Sequence, residues 1–468
     1  MDTDDALDED RYRGLNLRRE GGPPRAHHDP EAHMSPHTRI VSALVLGVAL
    51  LLSGCGAGAD TGSGPRTDTS SSAPTNSAPT STSEASTSAP APSPSDNNKK
   101  QDQQAMDAQL RQAAWDGDVE AAAELIAQGA DVNAQDETQQ SAFLIAASEG
   151  PLEMLRLALQ HGADLAAKDS YYGTALIRAA ERGLATIVGE LLVAGIEQDH
   201  VNASGYQAIH EAVWYGDADA ASLDTVRVLI AGGVDLDTAS GTEQLTPQQM
   251  ATAKGFDDIA AALTTAQEAS GIANPDASLL AAAESGDADQ AAAALRAGAN
   301  LEVRDDSERT PLLIAATYDR VDVARLLVAM DADPDALDNR HDTPWLVTGV
   351  TGSVPMAEAL RPANPDVAIK NRFGGLSIHP ASERGHLAYV EWVVQTGIDV
   401  NHINDLGWTA LLEAIVFGDG GSTYQQIVTA LLEADAEPSI ADANGNTPRQ
   451  LAQEAGYAEL AQIIAGYE

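Results

Sequence analysis

Thr310-Pro311-Leu312-Leu313-Ile314-Ala315-Ala316 opens a segment that keeps restarting. Related starts stand at Thr174-Ala175-Leu176-Ile177, Thr343-Pro344-Trp345-Leu346 and Thr409-Ala410-Leu411-Leu412, and variants carry His210 and His379 at the fourth place. Most starts lead into a small-residue helix, a Gly or Asp turn and a Leu-rich helix. A tail such as Gly129-Ala130-Asp131-Val132-Asn133-Ala134 closes the unit. The Thr is placed to cap a helix, and Pro at the first helical position loses nothing because that N–H has no partner. Gly150, Gly183 and Gly385 allow the tight turn between helices. Self-similarity at a period of about 33 residues predicts an all-α solenoid, in which each unit covers its apolar face with the next.

The Thr310-Pro311-Leu312 start, the His210 and His379 of its variants, the Gly385-His386-Leu387 turn, the Leu191-Leu192 and Leu326-Leu327 pairs and the Asp399-Val400-Asn401 tail resemble the ankyrin repeat. The resemblance covers about 360 residues. It implies helix-turn-helix units joined by short β-hairpin-like fingers, a binding surface on the fingers and first helices, and no reaction chemistry. In register the units run 107–136, 137–169, 170–202, 203–240 and 241–266, then 276–305, 306–338, 339–371, 372–404, 405–442 and 443–468. The two runs answer each other. Asp107-Ala108-Gln109-Leu110 corresponds to Asp276-Ala277-Ser278-Leu279, and Thr246-Pro247-Gln248-Gln249-Met250-Ala251 to Thr447-Pro448-Arg449-Gln450-Leu451-Ala452. We read one ancestral array duplicated whole, with one repeat gained or lost: a first array of five repeats over 106–266, a linker over 267–275 and a second array of six over 276–468. Polar Gln248, Gln249, Arg449 and Gln450 mark terminal caps. Gly349, Gly352 and Pro362 make the 339–371 repeat an expected soft point.

Ahead of the repeats stands Cys55, the one cysteine of 468 residues, which excludes an intrachain disulfide framework. Arg39, the apolar run Ile40 to Leu52 and the small residues of Leu52-Ser53-Gly54-Cys55 have a signal-peptide layout. The run is shorter than the roughly 20 residues a membrane span needs. The box resembles that of a bacterial lipoprotein signal. This implies lipid on Cys55, attachment to the cell membrane and an extracytoplasmic location. A signal over 34–54, starting at Met34, leaves 1–33 as a misassigned or disordered extension. Residues 55–105, rich in Ser, Thr and Pro, read as a disordered tether.

Aromatics make up 4% of the chain, and 70 acidic against 27 basic residues give a formal charge of −43. That excludes a nucleic-acid footprint and biases encounters towards basic protein partners. The scattered histidines have no ligand spacing. Asp331, Asp333 and Asp335 lack the Gly and Glu of a calcium loop, holding Ala336 and Asp342 there. No glycine-rich phosphate loop or nucleophile elbow is present. Neither a metal nor a cofactor is expected, and the chain reads as a monomeric binder rather than an enzyme. The candidate partner contacts are Tyr171, Tyr172, Tyr206, Phe373 and Trp408, aromatics gathered at finger positions. Five-residue insertions at Asp217 to Ser222 and Asp419 to Thr423 are further candidates. The expected function is a membrane-tethered lipoprotein that binds a protein partner. The alternative is an inhibitory or protective role, covering an envelope enzyme or toxin.

Overall fold

The computed structural model describes residues 94–468. The extension, the signal segment, Cys55 and the tether up to residue 93 lie outside the described residues. Helices come in pairs. The first run holds α1 Pro94–Asp116 with α2 Val119–Ala127, α3 Ala142–Ser148 with α4 Leu152–Gln160, α5 Ala175–Glu181 with α6 Ala185–Val193, α7 Ala208–Trp214 with α8 Ala220–Ala231, and α9 Pro247–Lys254 with α10 Asp257–Gln267. The second holds α11 Pro275–Ser285 with α12 Ala288–Arg296, α13 Pro311–Thr317 with α14 Val321–Ala329, α15 Pro344–Thr351 with α16 Val354–Leu360, α17 Ile378–Arg384 with α18 Leu387–Val393, α19 Ala410–Val416 with α20 Ser422–Glu433, and α21 Pro448–Glu454 with α22 Ala458–Ala465. The fold is all-α, and no strand occurs among the described residues. The fingers expected to be hairpin-like are turns, closed by bonds such as the Asp136 amide to the Gln140 carbonyl at 3.0 Å.

The capping chemistry follows the repeat start. Thr310, Thr343 and Thr409 accept from the amides of Leu313, Leu346 and Leu412 at 3.3, 3.1 and 3.3 Å. Each bond satisfies one of the free N–H groups of a helix start. His210 and His379 do a double job. Their Nδ1 atoms accept from the Gln207 and Leu376 amides, and their Nε2 atoms face the carbonyls of Thr238 and His402. In the terminal caps, Gln249 and Gln450 take over the first half of that job, accepting from the Thr246 and Thr447 amides at 3.1 and 2.9 Å.

Helix α1 begins at Pro94, upstream of the boundary expected at 106. Its polar first half is held to the repeats by Gln103, whose Nε2 reaches Asp107 and the Gly129 carbonyl at 2.8 and 2.9 Å. The insertions do not make long loops either. They divide between turn and helix: five residues rather than three separate the paired helices, and α8 and α20 have 12 residues where α6 has 9. Gly349 has a reason other than softness. A Cβ there would lie 1.9 Å from the Ser377 carbonyl oxygen, so the glycine admits the start of α17 against a complete α15.

The row of first helices is interrupted between α9 and α11, and the second helices turn back on themselves. Helix α12 packs on α8 and α10, and α14 packs on α6 and α8. The two arrays therefore lie back to back, their second helices running past one another in opposite order. Val228, Leu326 and Val328 face the space between them. Arg227 reaches Asp289 at 2.7 Å and Arg325 reaches Asp224 at 2.7 Å across the junction, while Arg296 donates to the Val234 carbonyl. Partly exposed pairs of this kind contribute at most about 1 kcal/mol each, so packing holds the junction. The closest approach is at Gly189 on α6, where a Cβ would lie 1.8 Å from the carbonyl oxygen of Ala329 on α14.

Gly189→Ala tests this junction with opposite signs. In an uncovered helix the change would add roughly 1 kcal/mol of helix propensity. Against Ala329 it forces the arrays apart and should cost about 1–3 kcal/mol in urea denaturation.

Candidate protein-interaction face

Each finger is built on one side chain at its base. Asp169 Oδ1 accepts from the amides of Tyr171 and Gly173 at 2.9 and 2.8 Å, and Asp338 does the same for Arg340 and Asp342 at 2.8 and 2.9 Å. In Asp305 burial works to raise the carboxyl, but bonds from Arg309 and Ser307 outweigh it and leave the group below its ordinary value. Successive fingers are bonded to each other in part. The Ala203 amide donates to the Tyr171 carbonyl at 2.9 Å, and the Asp405 amide to the Phe373 carbonyl at 3.0 Å.

The turn needs a left-handed residue one place before its end. Glycine fills it at Gly205, Gly374, Gly407 and Gly445, with φ between +73° and +84°. Gln139, Gln244, Glu308 and His341 occupy the same place, and so does Tyr172 at φ +63°. A large aromatic side chain at such a backbone is strained by about 1–2 kcal/mol.

The candidate aromatics fall into three environments. Tyr171 and Tyr172 are exposed, 69% and 59%, side by side on one finger. Lys168 lies 4.9 Å over the Tyr172 ring and His200 Nε2 meets the Tyr172 carbonyl at 2.8 Å, so the finger is anchored while its rings face solvent. Phe373 and Trp408 are half-buried. Phe373 lies under Arg372 at 4.7 Å, and Trp408 sits edge-on to Phe417 at 5.6 Å. Tyr206 departs from the expectation of a surface contact. It is 5% exposed, its hydroxyl donates to Glu243, and its ring packs 6.1 Å from Trp214. Here the finger residue turns inward to fill the gap between neighbouring units.

Four aromatics absent from the expected set are also exposed: Trp115 at the end of α1, Trp214 and Tyr215 at the end of α7, and Tyr467 after α22, at 50%, 37%, 56% and 44%. Register could have revealed the two tryptophans. Trp115 and Trp214 occupy the same place two residues before the helix-to-helix turn, where Ser148 and Glu181 stand in the units between. Among the described residues no cluster of His, Cys, Asp and Glu is arranged to hold a metal ion. The arrangement offers aromatic anchors, fixed backbone turns and abundant carboxylates, which are tools of recognition.

Tyr206→Ala removes a buried ring and should cost about 3–5 kcal/mol. Tyr171→Ala, at an exposed tip, should stay within about 0.5 kcal/mol of the parent. Paired urea melts read both.

Comparison with known proteins finds ankyrin repeats in this chain. Residues 110–202 match ankyrin repeats in three copies, 378–424 match ankyrin repeats in many copies, and 307–339 match a single ankyrin repeat. The chain is 38% identical over 194 residues to the putative ankyrin repeat protein YahD of Escherichia coli (strain K12), covering 41% of this chain and 96% of that protein. It is 28% identical over 172 residues to SH3 and multiple ankyrin repeat domains protein 2 of Homo sapiens, covering 9% of that protein. The crystal structure of an ankyrin repeat domain from Acinetobacter baumannii AYE is 38% identical, with a TM-score of 0.39, over 40% of this chain and 96% of that one.

Proposed function

The chain belongs to the ankyrin repeat family, and from that premise we propose that it is a lipid-anchored, extracytoplasmic binding protein that captures a basic protein partner without chemistry of its own. Ankyrin repeats supply interaction surfaces, and the repeats occupy nearly all of the described chain. The observation that carries the reading is the Tyr171–Tyr172 finger. An exposed aromatic pair is held rigid, and Tyr172 keeps a backbone that glycine would adopt freely. Strain retained at an exposed position points to a use for the side chain. Trp115, Trp214 and Tyr215 extend the same aromatic character along the ends of the first helices. The formal charge of −43 favours a partner of opposite sign.

A monomer is favoured by the outer face that the second array leaves uncovered. In the first array Gly189, Asp224 and Arg227 make the junction. In the repeat register their counterparts on α18 and α20 are Glu391, Gln426 and Thr429, and this face is lined by Gln395, Gln425 and Glu433 as well. A polar face with no close-approach glycine has no reason to pair.

Affinity capture from an envelope extract with the full chain tests the face. Tyr171→Ala combined with Tyr172→Gly should melt at the same temperature or higher, because the left-handed position is relieved. It should also lose at least about 2 kcal/mol of binding to the captured partner in a titration. Unchanged affinity at unchanged stability would sink the aromatic face. For the anchor, Cys55→Ala should move the protein from the membrane fraction to the soluble one; a variant that stays with the membrane removes Cys55 from the account.

A further inference from the structure

Two fingers differ from the rest at their base. Asn202 Oδ1 accepts from the Ser204 and Tyr206 amides at 3.0 Å, while its Nδ2 donates to Glu211 of α7 at 2.5 Å. In the second array Asn404 Oδ1 accepts from Leu406 and Trp408 at 3.0 Å, and its Nδ2 donates to Glu413 of α19 at 2.7 Å. Elsewhere the base and the residue nine places on are matched differently. Asp136, Asp305, Asp338 and Asp442 face the apolar register partners Ile145, Ile314, Val347 and Leu451, and Asn371 has Pro380. Asp169 has Arg178, with which it pairs at 3.4 Å. An acid on the helix thus goes with an amide at the base. A second aspartate there would set two carboxylates against each other, whereas an amide donates.

Both glutamates are buried, 4% and 1% exposed, and in each the Oε2 atom has no hydrogen-bond partner. Each also feels a second carboxylate from the preceding unit, Glu181 or Glu383. Burial raises Glu211 to about 7; Asn202 and Arg178 oppose the rise, while Glu181 and Asp169 add to it. Burial, with Glu383 beside it, raises Glu413 well above its ordinary value against the bond from Asn404. Other charges lie on the surrounding helices. Lys254 of α9 is bonded to the carbonyls of Val213 and Trp214. Asp224 and Arg227 of α8 reach the second array, and Asp219 caps its own helix. Around α19 they are Arg384 of α17, Glu433 of α20, Glu454 of α21, and Arg449 of α21 bound to Glu468.

We propose that Glu211 and Glu413 are proton-operated latches: protonated, each holds its finger base through Asn202 or Asn404, and ionised, each turns toward water and releases it. The neutral carboxyl fits the buried place with one idle oxygen, and the carboxylate does not. Because Ala203 and Asp405 donate to the carbonyls of Tyr171 and Phe373, release of fingers 202–206 and 404–408 also loosens the fingers before them. For Glu211 the sign follows from a raised value. The native state keeps the proton between the ordinary 4.5 and about 7, so the stabilisation is complete below that window and lost as pH rises through it. The consequence for capture rests on the aromatic-face reading; the movement of the fingers does not.

Amide hydrogen exchange on the intact protein, corrected for intrinsic rates, tests the latch without a partner. Between about pH 5.5 and about pH 8, protection at Ser204 and Tyr206 should fall at least about tenfold, while the Asp305 and Asp338 fingers stay level. Glu211→Gln with Glu413→Gln should keep protection high at both values. An equal fall in all fingers, or the same fall in the double variant, overturns the latch. Should the double variant not fold, Asn202→Asp alone adds a carboxylate beside Glu211 and should move the midpoint to higher pH; an unmoved midpoint overturns it. Fingers that respond while capture by the Tyr171–Tyr172 face ignores pH would keep the latch and separate it from binding.

Discussion

Apart from α1, the paired helices are seven to twelve residues long and cannot bury their own apolar faces, and everything else in this molecule follows from that shortage. Alanine dominates the buried first helices, as in Ala315-Ala316 and Ala179-Ala180, so neighbouring units approach closely and share one thin core. Large side chains appear where spacing widens. Trp345 and Tyr389 fill the core of the 339–404 region, and the Tyr389 hydroxyl meets Thr348 at 2.7 Å. The same economy governs polar groups. Threonine, histidine and asparagine at the starts and finger bases each satisfy backbone groups that a short helix or turn leaves open.

The shortage applies also to the second-helix row, and the two arrays meet it by covering each other. The junction depends on a glycine on one side and a bare backbone on the other, Gly189 against Ala329, with charged pairs around it. Where covering ends, the chain turns polar: the groove on the outer face of the last repeats is lined mainly by glutamine, glutamate and threonine. Corresponding surfaces of the two arrays thus differ, one suited to close packing and one to water. The result fixes both finger rows on a single body.

Much of this was legible in the residues. Caps, turns and the all-α solenoid are local matters, settled within one unit by Thr, Pro and Gly at fixed places. Tyr171 and Tyr172 were identifiable because an aromatic side chain at a turn position stands out in a chain with few of them. Tyr206 was not, since whether a finger ring faces outward or fills a gap depends on the unit beside it, here through Glu243. The insertions were half legible for the same reason: 217–219 and 419–421 stay in the turn as expected, while 220–222 and 422–423 join the following helices, which have neighbours to lie on.

The repeat period, the capping chemistry, the acidity and the cysteine ahead of the repeats belong to the sequence by itself, because each is a property of the residues alone. The back-to-back arrangement belongs to the tertiary structure alone. Gly189 reads in sequence as a weak point in a helix, and becomes a contact only when Ala329 arrives from 140 positions away. Glu211 and Glu413 are alike in this respect. In sequence they are two acids among 70, and only burial against Asn202 and Asn404, beside a second carboxylate, makes their protons matter. Desolvation and close packing act between distant segments, and a one-dimensional pattern carries no record of them.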